Sequence, residues 1–248
     1  MKARIPITLL VAALVFFGGF AGLFIAPDEA TMHEIQRIFY FHVPLWTAMT
    51  LALSISCFSC IAWLVSRRAT FDLLAVAGAE VGVLCCTGGL ITGMLWGKPV
   101  WGIWWTWDAR LTSTFVLWLL YISYLLLREL IEDPHRRATL SAVFGVFAYL
   151  DLPIVLLSTT LWRTQHPQPV LFGGPKSINH TMLMVFLLCM VAIVGVMILI
   201  LIDRYRLERL RFELDELRVE IESREMDAQQ LPAKQAVPGK ELPAKGTA

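Results

Sequence analysis

The chain has 248 residues, of which 57% are hydrophobic and 17% charged, with a mean hydropathy of +0.64. Soluble domains run at about 45–50% apolar and about 25% charged, and a globule of this length has no interior large enough for the excess, so a bilayer must take it. The same figures exclude a disordered chain, a collagen or a disulfide scaffold, and a net charge of +1 gives no reason to expect nucleic acid.

A hydrocarbon core of about 30 Å takes roughly 20 apolar residues in helix. Six runs meet that length: 5–26, 43–66, 73–97, 111–127, 138–162 and 177–202. Helices satisfy their own backbone groups in lipid, so the predicted fold class is an all-α integral membrane protein with six transmembrane helices. The first run begins after Lys2 and Arg4, like a signal peptide, but it is longer than the 7–15 residues of a signal core and is read as a retained helix. Pro153 predicts a kink in the fifth run. Glu80 and Asp151 are the acids inside spans, read either as packed carboxyls or as members of a path for protons or a larger ligand.

Lysines and arginines near the span ends set the orientation. One side holds eleven (Lys2, Arg4, Arg67, Arg68, Arg128, Arg136, Arg137, Arg204, Arg206, Arg209 and Arg211) and the other holds five (Arg37, Lys98, Arg110, Arg163 and Lys176). Both termini are therefore expected in the cytoplasm, with loops 27–42, 98–110 and 163–176 outside. After the membrane domain, 1–202, the spacing of Leu207, Leu210, Leu214, Leu217 and Ile221 predicts a cytoplasmic amphipathic helix over 203–226. It reads either as a solvated extension of the sixth span or as a docking surface for a partner helix. Residues 227–248, rich in Pro, Ala, Lys and Gln, are expected to be disordered.

The cysteines (57, 60, 85, 86 and 189) all fall inside predicted spans. Cys57 and Cys60 have the CxxC spacing, but Ile61 follows where a covalent haem attachment signature needs His, so the five are read as small apolar packing residues, with a redox role as the alternative.

Five of the nine tryptophans crowd into twelve residues: Trp96, Trp101, Trp104, Trp105 and Trp107. An interfacial belt needs one or two per span end. This density predicts instead a shelf of indoles at the lipid–water boundary, shaped by Gly97, Pro99 and Gly102 and suited to a large planar ligand with a polar edge. Lys98 and Arg110 flank it, and Asp108 is placed to pair with Arg110 and fix the loop. Of the five histidines, His135 is an ordinary cytoplasmic loop residue, while His33 and His42 lie in the first outer loop and His166 and His180 in or just after the third. One imidazole from each side of the shelf fits two axial ligands to iron. His42, just before Pro44, sits at the mouth of the second helix. His166, between Gln165 and Pro167, is also locally stiff.

The stretch Trp96-Gly-Lys-Pro-Val-Trp-Gly-Ile-Trp-Trp-Thr-Trp-Asp-Ala-Arg-Leu-Thr112 resembles the tryptophan-rich WWD signature of the haem-handling proteins. Together with Arg37-Ile-Phe-Tyr-Phe-His42-Val-Pro44 and Trp162-Arg-Thr-Gln-His166, it is similar to the haem exporter protein C family of bacterial cytochrome c maturation, over about residues 5–202. That resemblance implies haem b held on the periplasmic face of the inner membrane, with His42 and His166 as axial ligands. It also implies delivery to a periplasmic haem chaperone, beside the ATPase and permease subunits of an ABC transporter and a small single-span accessory subunit. A lyase-like step on the chaperone is compatible with it. No Walker motif occurs, so ATP hydrolysis belongs to another chain. Lys98, Arg110, Arg163, Arg37 and Lys176 are the cations that suit propionates. Two other classes fit the composition: a permease subunit with Glu80 and Asp151 along a path, and a scaffold anchored by its aromatic loop.

Overall fold

The computed structural model describes residues 4–29, 31–166 and 178–234. Among these the structure is helical, with a lone β-bridge between Glu29 and His33. Helix α1 (Arg4–Phe20) closes in a π turn (Ala21–Ile25), and a 3-10 turn (Glu34–Ile38) leads into α2 (Phe39–Ser66). Then follow α3 (Ala69–Trp101), α4 (Ala109–Leu130), α5 (Pro134–Tyr149), α6 (Asp151–Leu161) and α7 (His180–Lys234). Six helical stretches are long and apolar enough to cross a membrane, α5 and α6 together forming one of them.

Local chemistry sets the boundaries. Asp108 caps α4 by accepting the Leu111 N–H at 2.9 Å. Asp133 caps α5 through the Arg136 N–H at 2.6 Å, with Pro134 in the first turn, where no N–H is needed. Gly102, at φ 78°, ends α3 in the left-handed conformation open to glycine. The expected kink falls three residues before Pro153. Without a proline N–H the helix cannot close on the Tyr149 carbonyl, and Leu150 bonds back to Phe147 instead.

Three ends differ from the sequence reading. Helix α2 starts at Phe39, so His42 and Pro44 lie inside it rather than at its mouth. Helix α3 continues through Pro99 to Trp101, which makes the first half of the tryptophan-rich segment helix rather than loop. Helix α7 extends past the expected end at 226 to Lys234, and the tail from 235 lies outside the described residues. In α3 and α7 the sequence turns polar before helical hydrogen bonding stops, whereas α2 simply starts earlier, on the aromatic residues Phe39, Tyr40 and Phe41.

The chain divides into two units, 1–206 and 207–248. In the first, α2 and α3 pack at backbone distance. A Cβ on Gly78 would lie 2.9 Å from the Ala52 carbonyl oxygen and from the Ser56 nitrogen, and Ser56 Oγ donates to the Ala75 carbonyl at 2.8 Å. Small residues give lipid-embedded helices this approach. Towards the starts of α1 and α3 and midway along α7 the bundle is tied by ion pairs: Arg128 with Asp72 through two bonds of 2.6 and 2.8 Å, Arg204 with Glu80, and Arg4 with Asp203. Glu80 is therefore a packed, paired carboxyl. The five cysteines are buried free thiols. In the second unit Leu210, Leu214, Leu217 and Ile221 are exposed, and Arg209–Glu213 and Arg224–Glu220 pair along the helix.

Candidate functional site: an indole-walled cavity

The ends of α2, α3 and α4 that carry the WWD segment, with the 163–166 segment, enclose a partly open cavity of about 790 Å³, open side included. Helix α2 supplies His42, 5% exposed, and Trp46 one turn later on the same face. Helix α3 supplies Gly89, Gly93 and Gly97, four residues apart and therefore in a row. A Cβ on Gly93 would sit 3.2 Å from His42 Cε1, one on Gly89 3.1 Å from the Trp46 ring, and one on Gly97 3.1 Å from the Trp101 ring. The glycine row is the space in which these rings lie. Trp96, Trp101 and Trp105 complete the aromatic wall, with His42 and Trp96 edge to face at 5.6 Å.

Both histidines reach this cavity, His42 from α2 and His166 from the third loop. Both ring nitrogens of His42 are engaged: Trp46 Nε1–H donates to Nε2 at 2.9 Å, and Nδ1 lies 2.9 Å from Thr92 Oγ1. Asp108 positions the other side. Besides capping α4, its carboxylate accepts the Gln165 N–H at 3.2 Å and the Thr106 hydroxyl at 3.2 Å. The start of α4 is thereby fastened to the residue before His166. Arg110 also lines the cavity.

The lining is mostly apolar with a few polar groups, the usual constitution of an organic-ligand site. The indole N–H groups of Trp96 and Trp105 are buried without a hydrogen-bond partner among the described residues, leaving donors unsatisfied beside the cavity. No cluster of three or more His, Cys, Asp or Glu suited to a bare metal occurs among the described residues. The two imidazoles and the indoles line one and the same cavity.

The family model described as "Heme exporter protein C" matches residues 1–220. The chain belongs to that family. It is 33% identical over 199 residues to Heme exporter protein C of Bradyrhizobium diazoefficiens, covering 77% of this chain and 74% of that one. It is 31% identical over 206 residues to the protein of the same name from Haemophilus influenzae, covering 82% of each. The Escherichia coli K12 protein is 31% identical over 163 residues, covering 64% of this chain and 65% of that one. As a member of the Heme exporter protein C family with six apolar helices, this is a multi-pass membrane protein. The family match passes residue 202, where the motif resemblance stopped, and takes in the first turns of the heptad stretch.

The structure separates the anticipated site residues. His42, His166, Trp96, Trp101, Trp105 and Arg110 line the cavity. Trp104 and Trp107 do not: they lie beyond the Gly102 cap and are 54% and 74% exposed. Lys98 is also outside it, its ammonium donating to the Gly102 carbonyl at 2.8 Å and lying over the Trp104 ring at 5.9 Å. The expected Asp108–Arg110 pair does not form. Backbone amides take the carboxylate, and the guanidinium donates to the Val155 carbonyl at 3.1 Å. Arg37 is held by Asp28 and the Leu23 carbonyl, and Lys176 lies outside the described residues. The flat shelf becomes a recess because α3 keeps its helical phase to Trp101. Trp46 and Thr92 escaped the sequence reading, which takes Gly88, Gly89 and Gly93 as allowing close helix approach and Gly97 as shaping the loop, not as a row beneath the cavity rings. Their signal was present in the steps of four along α2 and α3.

Proposed function

We propose that this protein holds haem b in the α2–α3–α4 cavity on the outer, periplasmic face of the bacterial inner membrane, with His42 and His166 as axial ligands. From there it hands the haem to a periplasmic haem chaperone during cytochrome c maturation, working beside the ATPase and permease subunits of an ABC transporter and a small single-span subunit. One observation carries this reading: two histidines far apart in sequence line a single cavity walled by Trp46, Trp96, Trp101 and Trp105. Membership of the Heme exporter protein C family supports it.

In this reading the residues divide the task. The indoles offer apolar ring faces, worth roughly 25 cal/mol per Å² buried, so haem is held by area on its faces and by ligation at its centre. Arg110 is the cavity's cation for a propionate. Asp108 holds Gln165, and through it the approach of His166. The open side of the recess leaves a haem edge accessible to a docked acceptor.

The test is delivery. Haem-loaded protein in detergent, mixed with the apo form of the cell's periplasmic haem chaperone, is expected to pass its haem on, and His42→Ala and His166→Ala each to lower loading and transfer. Wild-type transfer rates in both variants would contradict the proposal.

A further inference from the structure

We propose that Trp46 is a latch on the iron-binding nitrogen of His42. The inference rests on the reading of His42 as a haem ligand and adds a positioning residue to it.

An indole N–H only donates, so His42 Nε2, 2.9 Å from Trp46 Nε1, presents its lone pair to it. The ring is then neutral and its one proton is on Nδ1, where it is donated to Thr92 Oγ1 at 2.9 Å. The Thr92 hydroxyl is able to accept because its own hydrogen goes to the Gly88 carbonyl at 2.8 Å. The circuit runs in one direction, from Trp46 through His42 and Thr92 to Gly88, with every donor and acceptor used. It fixes the tautomer in which Nε2 is the available ligand, and outer partners of this kind orient metal-binding imidazoles.

The lone pair on Nε2 serves one partner at a time, the indole N–H or an iron. Binding at His42 is therefore an exchange: Trp46 must yield its bond, and when the metal departs the same N–H retakes a buried acceptor that would otherwise stand bare. This lowers affinity and eases release, which suits a protein that passes its ligand on. The spacing of four on α2 keeps the indole against the imidazole, edge to face at 5.8 Å.

The probe is haemin added to the full-length protein in detergent, followed by its Soret band. Trp46→Phe keeps an aromatic ring, though a smaller one, and removes the donor. It is expected to bind haemin about three- to tenfold more tightly than wild type, the range a net hydrogen bond supplies, with an unchanged low-spin spectrum. In the His42→Ala background, where the acceptor nitrogen is gone, the same substitution is expected to bring no tightening. Thr92→Val, which removes the acceptor of Nδ1–H, is expected to act in the opposite sense and weaken binding. Unaltered or weaker binding in Trp46→Phe overturns the latch, and so does equal tightening with and without His42. A second measurement needs no haem: diethyl pyrocarbonate attacks an unprotonated imidazole nitrogen and is expected to modify His42 several-fold faster in Trp46→Phe, with the rate at His135 unchanged. Equal rates at His42 overturn the proposal. A haem spectrum unmoved by His42→Ala overturns the functional reading, and the latch on iron with it. A His42-dependent spectrum with unaltered affinity in Trp46→Phe overturns the latch alone.

Discussion

Asp108 shows how one side chain ties secondary structure to chemistry. Its carboxylate caps α4 and reaches across to the Gln165 amide, so the same group that starts a helix steers the segment bearing His166. Asp108→Ala is expected to lower haem affinity by about tenfold or more, a loss in the range of two or three hydrogen bonds, with Asp108→Asn recovering part of it through its remaining acceptor oxygen. Haemin titration checks this, and equal affinity in Asp108→Ala would refute the link to His166. The tryptophans make a second contrast. Trp101→Ala and Trp105→Ala remove cavity wall and are expected to weaken haem retention clearly more than Trp104→Ala and Trp107→Ala, which remove exposed rings. The reverse order in a haem-release assay would contradict the assignment of the wall. On the loop between α1 and α2, Glu29 accepts the N–H groups of Met32 and Thr31, and these bonds, that of Met32 foremost, hold its carboxyl below the usual carboxylate range. The order they give the loop is present above the ordinary carboxylate pKa and fades only as pH falls through the lowered value. At this scale residue types were legible and partners were not. His42, His166 and the tryptophan cluster stood out by identity and density, whereas Asp108's choice of backbone amides over Arg110 depends on its being a helix cap.

Helices were legible as apolar runs, and their ends were misplaced where helical hydrogen bonding extends beyond the run read from the sequence. That single cause moved His42 inside α2, carried Trp96 and Trp101 into α3 and turned the expected shelf into a recess. The glycine row on α3 tests the corrected picture. Gly93→Ala places a methyl 3.2 Å from the His42 ring and is expected to displace that ring and reduce haem loading, while Gly19→Ala, which meets nothing within 4 Å, leaves it unchanged. Helix pairing offers an independent test. The Arg128–Asp72 pair is nearly buried, with side chains 9% and 15% exposed. Removing Asp72 alone strands a charge and is expected to cost about 3–5 kcal/mol, whereas Asp72→Leu with Arg128→Met is expected to be far milder. Thermal unfolding in detergent measures both, and an equal loss in the single and double variants would show that the charges matter only as volume.

An even number of spans returns a chain to the side it left. The arginine and lysine count, an inventory of charge rather than of contacts, is what predicts that the cavity faces outside. Thr31→Cys and Glu132→Cys report this directly, because the native cysteines are buried and give little background. A membrane-impermeant maleimide applied to cells with a permeabilised outer membrane is expected to label the first and spare the second, and the opposite pattern would invert the topology.

The central claim is that His42 and His166 share one iron. The most direct measurement is the absorption and low-temperature paramagnetic resonance spectrum of ferric haem bound to the purified protein, compared with His42→Ala, His166→Ala and the double variant. The account predicts a low-spin, two-imidazole spectrum in the wild type, a shift to high spin in either single variant and no bound haem in the double. A low-spin spectrum that survives the double substitution would contradict it.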